Sequence, residues 1–138
     1  MPRVSVWLVR SSLVCLILGF TLGGAMLAGK GLAWSPLGPG GVPAHVELVV
    51  LGWMVQLAMG VALWILPRFG VPALARGSAP GWMAWFFLNS GIGLVVMADL
   101  GVAIAGLALA GRVLEAAAAA AFATAVWRRI RASGLSAM

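Results

Sequence analysis

The chain has 138 residues, of which 63% are hydrophobic and 9% charged, and its mean hydropathy is +1.09. Soluble domains run about 45 to 50% apolar and about 25% charged, so the composition excludes an ordinary soluble domain and points to an integral membrane protein. The formal charge of +6 would suggest a nucleic-acid partner in a soluble chain, but here the basic residues lie at the ends of apolar runs, where they set orientation in a bilayer, and nucleic-acid binding is set aside.

A membrane-crossing helix needs about 20 mostly apolar residues. Four segments meet this, at approximately 6–27, 44–66, 81–102 and 107–127, so the expected fold is an all-α, four-helix integral membrane bundle forming one transmembrane domain over 1–138. Arg3 and Arg10 precede the first apolar run in the manner of a leader peptide. With Met1 at the start, the run is read instead as a retained first span. Within it, Gly19 and Gly23 form a GxxxG pair that lets another helix approach closely. Cys15, the single cysteine, excludes an intrachain disulfide and a Cys-rich metal site, and reads as a small packing residue. The Gly- and Pro-rich stretch from Gly31 to Pro43 predicts a structured loop without a helix of its own.

The second segment carries the chain's only histidine, His45, and one of its three carboxylates, Glu47. Polar groups at the mouth of an apolar span are expensive and default to a binding or pairing role. Pro67 is expected to stop this helix, because it cannot donate to the helical ladder, and Pro72 and Pro80 bracket the next connection. The turn between the third and fourth segments falls near Ala105-Gly106, with Asp99 to Gly101 as the alternative. Ala116 to Ala121 give the fourth segment a narrow surface for packing.

Four spans put both termini on one side. Arg3, Arg10, Arg68, Arg76, Arg128, Arg129 and Arg131 then lie on the terminal side, against Lys30 and Arg112 opposite. This predicts cytoplasmic termini in the cell's inner (plasma) membrane, with His45 near the outer surface. Trp34, Trp64, Trp82, Trp85 and Trp127 fall near the span ends, as aromatic belts require.

His45, Val49, Gly52, Gln56, Met59 and Leu63 recur at three- and four-residue steps and share one helical face. Gly52, two turns below His45, is expected to leave a flat gap suited to a planar macrocycle held by the imidazole. The plainer reading is a histidine hydrogen-bonded to a headgroup or a neighbouring helix.

Ala44-His45, Gly52-Trp53, Gly60 and Leu66-Pro67-Arg68 together resemble the second transmembrane helix of haem–copper oxidase catalytic subunits, nitric oxide reductases included. The likeness is greater to small four-helix membrane proteins related to the beginning of such subunits. It covers residues 44–70 well and 1–70 more loosely, through Gly19, Gly23 and Lys30-Gly31. The resemblance implies that His45 ligates a low-spin haem b near the outer face. The large subunits need further histidines for the second axial position, the active haem and the copper. This chain has none, which excludes oxygen or nitric oxide reduction at a haem–copper centre.

Lys30 and Arg112, the basic residues on the side of His45, are the expected partners of the haem propionates. An ordinary i, i+3 pair between Arg112 and Glu115 is the alternative for the latter. The second axial ligand is expected from His45 of a second copy across a two-fold interface, or from Met54, Met59 or Met97. Met59 lies about 21 Å along the same helix and cannot reach the same iron. A five-coordinate haem open to a gas is a third arrangement. Glu47 and Gln56 are candidates for a quinol head group, with a solvated Glu47 as the alternative. Asp99 is either a buried proton site or a helix cap.

The expected function is therefore a small b-type haem protein for electron transfer or gas binding, not an enzyme on its own, working as a homo-oligomer or within a larger respiratory complex. A haemless accessory subunit of a respiratory or photosynthetic complex is the alternative. A small four-helix exporter would need a carboxylate buried in the first span, and that span has none.

Overall fold

The computed structural model describes residues 1–32, 34, 37–66 and 79–135, with 128–135 described by backbone alone. The described residues are all helical apart from turns. Helix α1 is Arg3–Gly31, and a 3-10 turn, Gly38–Gly40, leads into α2, Gly41–Glu47. A π-helical stretch, Leu48–Val55, continues without a break into α3, Gln56–Ile65, and α4 (Ala79–Asp99) and α5 (Leu107–Leu135) complete the chain. Four of the resulting rods are long and apolar enough to cross a bilayer: Arg3–Gly31, Gly38–Ile65, Ala79–Asp99 and Leu107–Trp127.

The helices begin where proline permits and end where glycine or proline compels. Pro2 precedes α1, Pro43 lies in the first turn of α2 and Pro80 is the second residue of α4. In a first turn the missing amide costs nothing, because that donor has no intrahelical partner. The helix at 44–66 therefore starts earlier than its apolar run, and Gly38 to Pro43 is helical rather than loop. At its far end Leu66 turns to φ −57°, ψ 131°, the extended geometry imposed on a residue before proline. Pro67 and Pro72 themselves, with Arg68 and Arg76, lie outside the described residues.

The third helix stops at Asp99, not at 102. Gly101 takes φ 99°, the amide of Val102 bonds to the carbonyl of Met97 at 3.0 Å, and that of Gly101 to Ala98 at 3.1 Å. This pair of backward bonds caps the freed carbonyls, and its left-handed residue suits glycine. A second left-handed glycine, Gly106 at φ 81°, releases the chain into α5 at Leu107, where the sequence places that helix.

Polarity is arranged as lipid requires. Large apolar side chains such as Leu13, Ile17, Phe20, Leu27, Phe86 and Leu109 are exposed around the rods, while Ser5, Ser12, Glu47 and Gln56 are buried between them. Without water outside, helices associate through close packing of small residues and hydrogen bonds. Antiparallel to α1, the second rod sets Gly60 on Leu8 and Val9, Gly52 on Cys15, and Val49 on Gly19. α4 and α5 pair in the same sense, Gly91 against Gly111 and Glu115. Gly40 packs directly on the Asp99 carbonyl, which brings both described turns to one end of the bundle.

Candidate functional site

That end holds the chain's chemistry. His45, Glu47, Asp99, Arg112 and Glu115 all lie in its half of the bundle, and they include all three acidic residues and the single histidine. Two separate groupings result, because α2 projects His45 toward α1 and Glu47 toward α5.

In the first grouping, Nδ1 of His45 lies 2.8 Å from the carbonyl oxygen of Gly19. A carbonyl only accepts, so Nδ1 carries the proton and donates. The neutral ring then keeps its lone pair on Nε2. Gly23 makes room for the ring: a Cβ there would stand 2.8 Å from Cε1 and 3.0 Å from Nδ1. The GxxxG pair read as a packing device thus also seats the histidine.

Gly52 does not leave the expected gap. A Cβ at that position would meet Cβ of Cys15 at 2.8 Å and its Sγ at 2.9 Å. The notch is filled by α1, because a face of small residues in lipid is most favourably covered by another helix. Gly52 and Cys15 thus pack on each other rather than flank a cavity. Gln56, offered for a quinol head, is also occupied: it is fully buried and its Nε2 donates to Ser11 Oγ at 2.8 Å. Trp85 Nε1 donates to the same oxygen at 3.0 Å, so Ser11 ties α1, α3 and α4 together. Trp85 also stacks edge-on against Trp7 and Trp82, at centroid distances of 5.8 and 5.9 Å.

The second grouping is ionic. Nη1 of Arg112 donates to Oε2 of Glu47 and to Oε2 of Glu115, each at 2.8 Å. Glu47 is 5% exposed, so it is neither solvated nor open to a ligand in this arrangement. Arg112 has the i, i+3 partner expected of it and a second partner from α2 that spacing could not reveal. Nη1 is thereby engaged, while the Arg112 side chain as a whole remains 53% exposed. Lys30 is exposed in the last turn of α1, where a cation complements the helix dipole.

The π-helical stretch starts one residue after Glu47, and such widened turns concentrate at functional sites. Asp99 is the last residue of α4, and its Oδ2 is buried without a hydrogen-bond partner. Among the described residues, no three His, Cys, Asp or Glu side chains are placed to hold a metal ion. Met54 and Met97 are exposed, and Met59 is in the core. No match is found among known protein families, characterised proteins or solved structures, and nothing there links the chain to the haem–copper oxidases.

Proposed function

We propose that the chain is a small multi-pass membrane protein that holds a b-type haem through Nε2 of His45. In this reading both termini face the cytoplasm across the plasma membrane. The observation that carries it is the 2.8 Å bond from Nδ1 to the Gly19 carbonyl. A histidine that binds iron through one nitrogen characteristically donates the other to a carbonyl, which fixes the tautomer and orients the ring.

The fit to haem is uneven. The imidazole suits it, whereas Gly52 is filled by Cys15 and Arg112 is held by two carboxylates. A porphyrin on His45 would then need a second copy or another subunit to close its site, with the exposed Lys30 and the half-exposed Arg112 as the cations for its propionates. Bound haem would supply one-electron transfer or gas binding. The chain's own part is to orient the ring through Gly19 and to make space beside it at Gly23.

A haemless accessory subunit is the second reading. It is favoured by the same occupancy, since His45, Gly52 and Arg112 each already have a partner in this chain. A reduced-minus-oxidised spectrum of the purified protein, with His45→Ala alongside, separates the two. The expected result is a Soret band in the parent protein that disappears in the variant while the variant's tryptophan fluorescence stays native-like. A parent protein without haem absorption leaves the accessory reading standing.

A further inference from the structure

The charges of this chain are segregated along the bundle. All three acidic residues, Glu47, Asp99 and Glu115, lie in the half that holds the described turns. The opposite end, where α1 and α4 begin, carries Arg3 and Arg10 on α1, and both are exposed. Among the described residues the ion pairs belong to Arg112. The rest of the sequence holds no further Asp or Glu, so no other side chain of this chain can neutralise Arg3 or Arg10.

Arg3, Trp7 and Arg10 follow at four- and three-residue steps and therefore share one stripe of α1. Trp7 is fixed between the two cations. Its carbonyl accepts a hydrogen bond from Ser11 Oγ, and its ring meets Trp85 edge-on at 5.8 Å, while Trp85 meets Trp82 at 5.9 Å. Ser11 Oγ also accepts from Trp85 Nε1 at 3.0 Å, so the indoles of two helices are locked into one cluster. Indoles mark the headgroup level of a bilayer, because they join an apolar ring to an N–H donor. Arg10 lies about 10 Å inward of Arg3 at 1.5 Å per residue. An exposed cation at that depth, without a carboxylate, is costly unless its head reaches an anion at the membrane surface.

We propose that Arg3, Trp7 and Arg10 form a binding site for the phosphate of an anionic phospholipid, backed by Trp82 and Trp85. Charge complementarity selects this occupant. The guanidinium forks donate paired hydrogen bonds to the phosphate oxygens, and Arg10 extends toward the end of the helix to do so. The acyl chains run along the same stripe of α1, where Val14 and Ile17 are exposed. A zwitterionic lipid brings a cation that the two arginines repel, so lipids of net negative charge are preferred. The site uses residues of α1 and α4 alone and is independent of the haem reading.

Native mass spectrometry of the purified full chain in detergent, with phosphatidylglycerol and phosphatidylcholine of matched acyl chains added in turn, tests this. Phosphatidylglycerol is expected to be retained more tightly. Each basic residue near a membrane surface is worth about a fivefold change in affinity for anionic lipid, so Arg3→Gln combined with Arg10→Gln should weaken phosphatidylglycerol retention about 25-fold. Lys30→Gln removes a cation from the other end of α1 and should leave retention unchanged. Should the double variant lose its helical circular dichroism, Arg10→Gln alone should still show about a fivefold loss. Equal retention of the two lipids by the parent protein overturns the proposal. An undiminished preference in the folded variants also overturns it, and would assign the preference to other arginines of the sequence. Displacement of the lipid by an equal concentration of inorganic phosphate overturns it in favour of a free-anion site.

Discussion

Two residues of α2 set two positions apart meet their partners by opposite means. His45 reaches α1 with a neutral hydrogen bond to a backbone carbonyl, beside a glycine that lets the two helices close. Glu47 reaches α5 with a charge, across a gap that the long Arg112 side chain fills. The first seam is tight, continuous and made of small residues from Ser5 and Gly60 at one end to Gly23 and His45 at the other. α5 instead packs its backbone on α4 and joins the second rod through Arg112. Shape dominates one seam and electrostatics the other, so the two should fail differently.

The largest effect is expected on the ionic seam. Arg112→Leu leaves two buried carboxylates without their cation, and removing one member of a buried pair typically costs 3 to 5 kcal/mol. The exposed half of Arg112 puts the expectation at the low end, about 3 kcal/mol, read as reduced stability in a denaturant titration in detergent. Glu115→Gln retains a hydrogen-bonding side chain and the Arg112–Glu47 pair. It should cost less than a third as much. Equal losses from the two variants would mean that the cluster's geometry matters and its charge does not.

On the shape-driven seam the comparable break is Gly52→Ile. Even a Cβ there stands 2.8 Å from Cβ of Cys15, so the branched side chain must push α1 away. Overpacking of this kind costs about 1 to 3 kcal/mol, and Cys15→Ala in the same chain should recover part of it. An unchanged midpoint for the single variant would show that the two rods separate there without cost.

The contrast also explains what could be read from the sequence. Four spans follow from hydropathy because a helix is the one local structure that satisfies its own backbone in lipid. Pro67 marks a helix end through a local backbone rule, and Gly19 and Gly23 declare a packing face, whereas hydropathy carries the third helix to 102, past the stop that Gly101 makes. Gly52 lies on the facing surface of the second rod, but periodicity gives only the direction of a notch, not its occupant, and the occupant is Cys15 from α1. Arg112 and Glu115 are neighbours by spacing, whereas Glu47 is 65 residues from Arg112 in sequence. A single sequence carries no signal for that pairing beyond the expense of leaving either charge alone in lipid.

The smallest effect is expected at the polar junction inside the shape-driven seam, and it separates hydrogen bonding from packing there. Ser11→Ala removes the acceptor of both Gln56 Nε2 and Trp85 Nε1, so a buried donor and a half-buried one lose their partner. Hydrogen bonds between membrane helices average about 0.6 kcal/mol, and the loss here should be about 1 kcal/mol because both donors are stranded. Gln56→Leu should cost less despite deleting a fully buried side chain. Its Oε1 is already without a partner, so the substitution also removes an existing penalty. If the order is reversed, with Gln56→Leu the more damaging in thermal unfolding, the Gln56 side chain contributes mainly through fit and this part of the seam contains no net hydrogen-bond stabilisation.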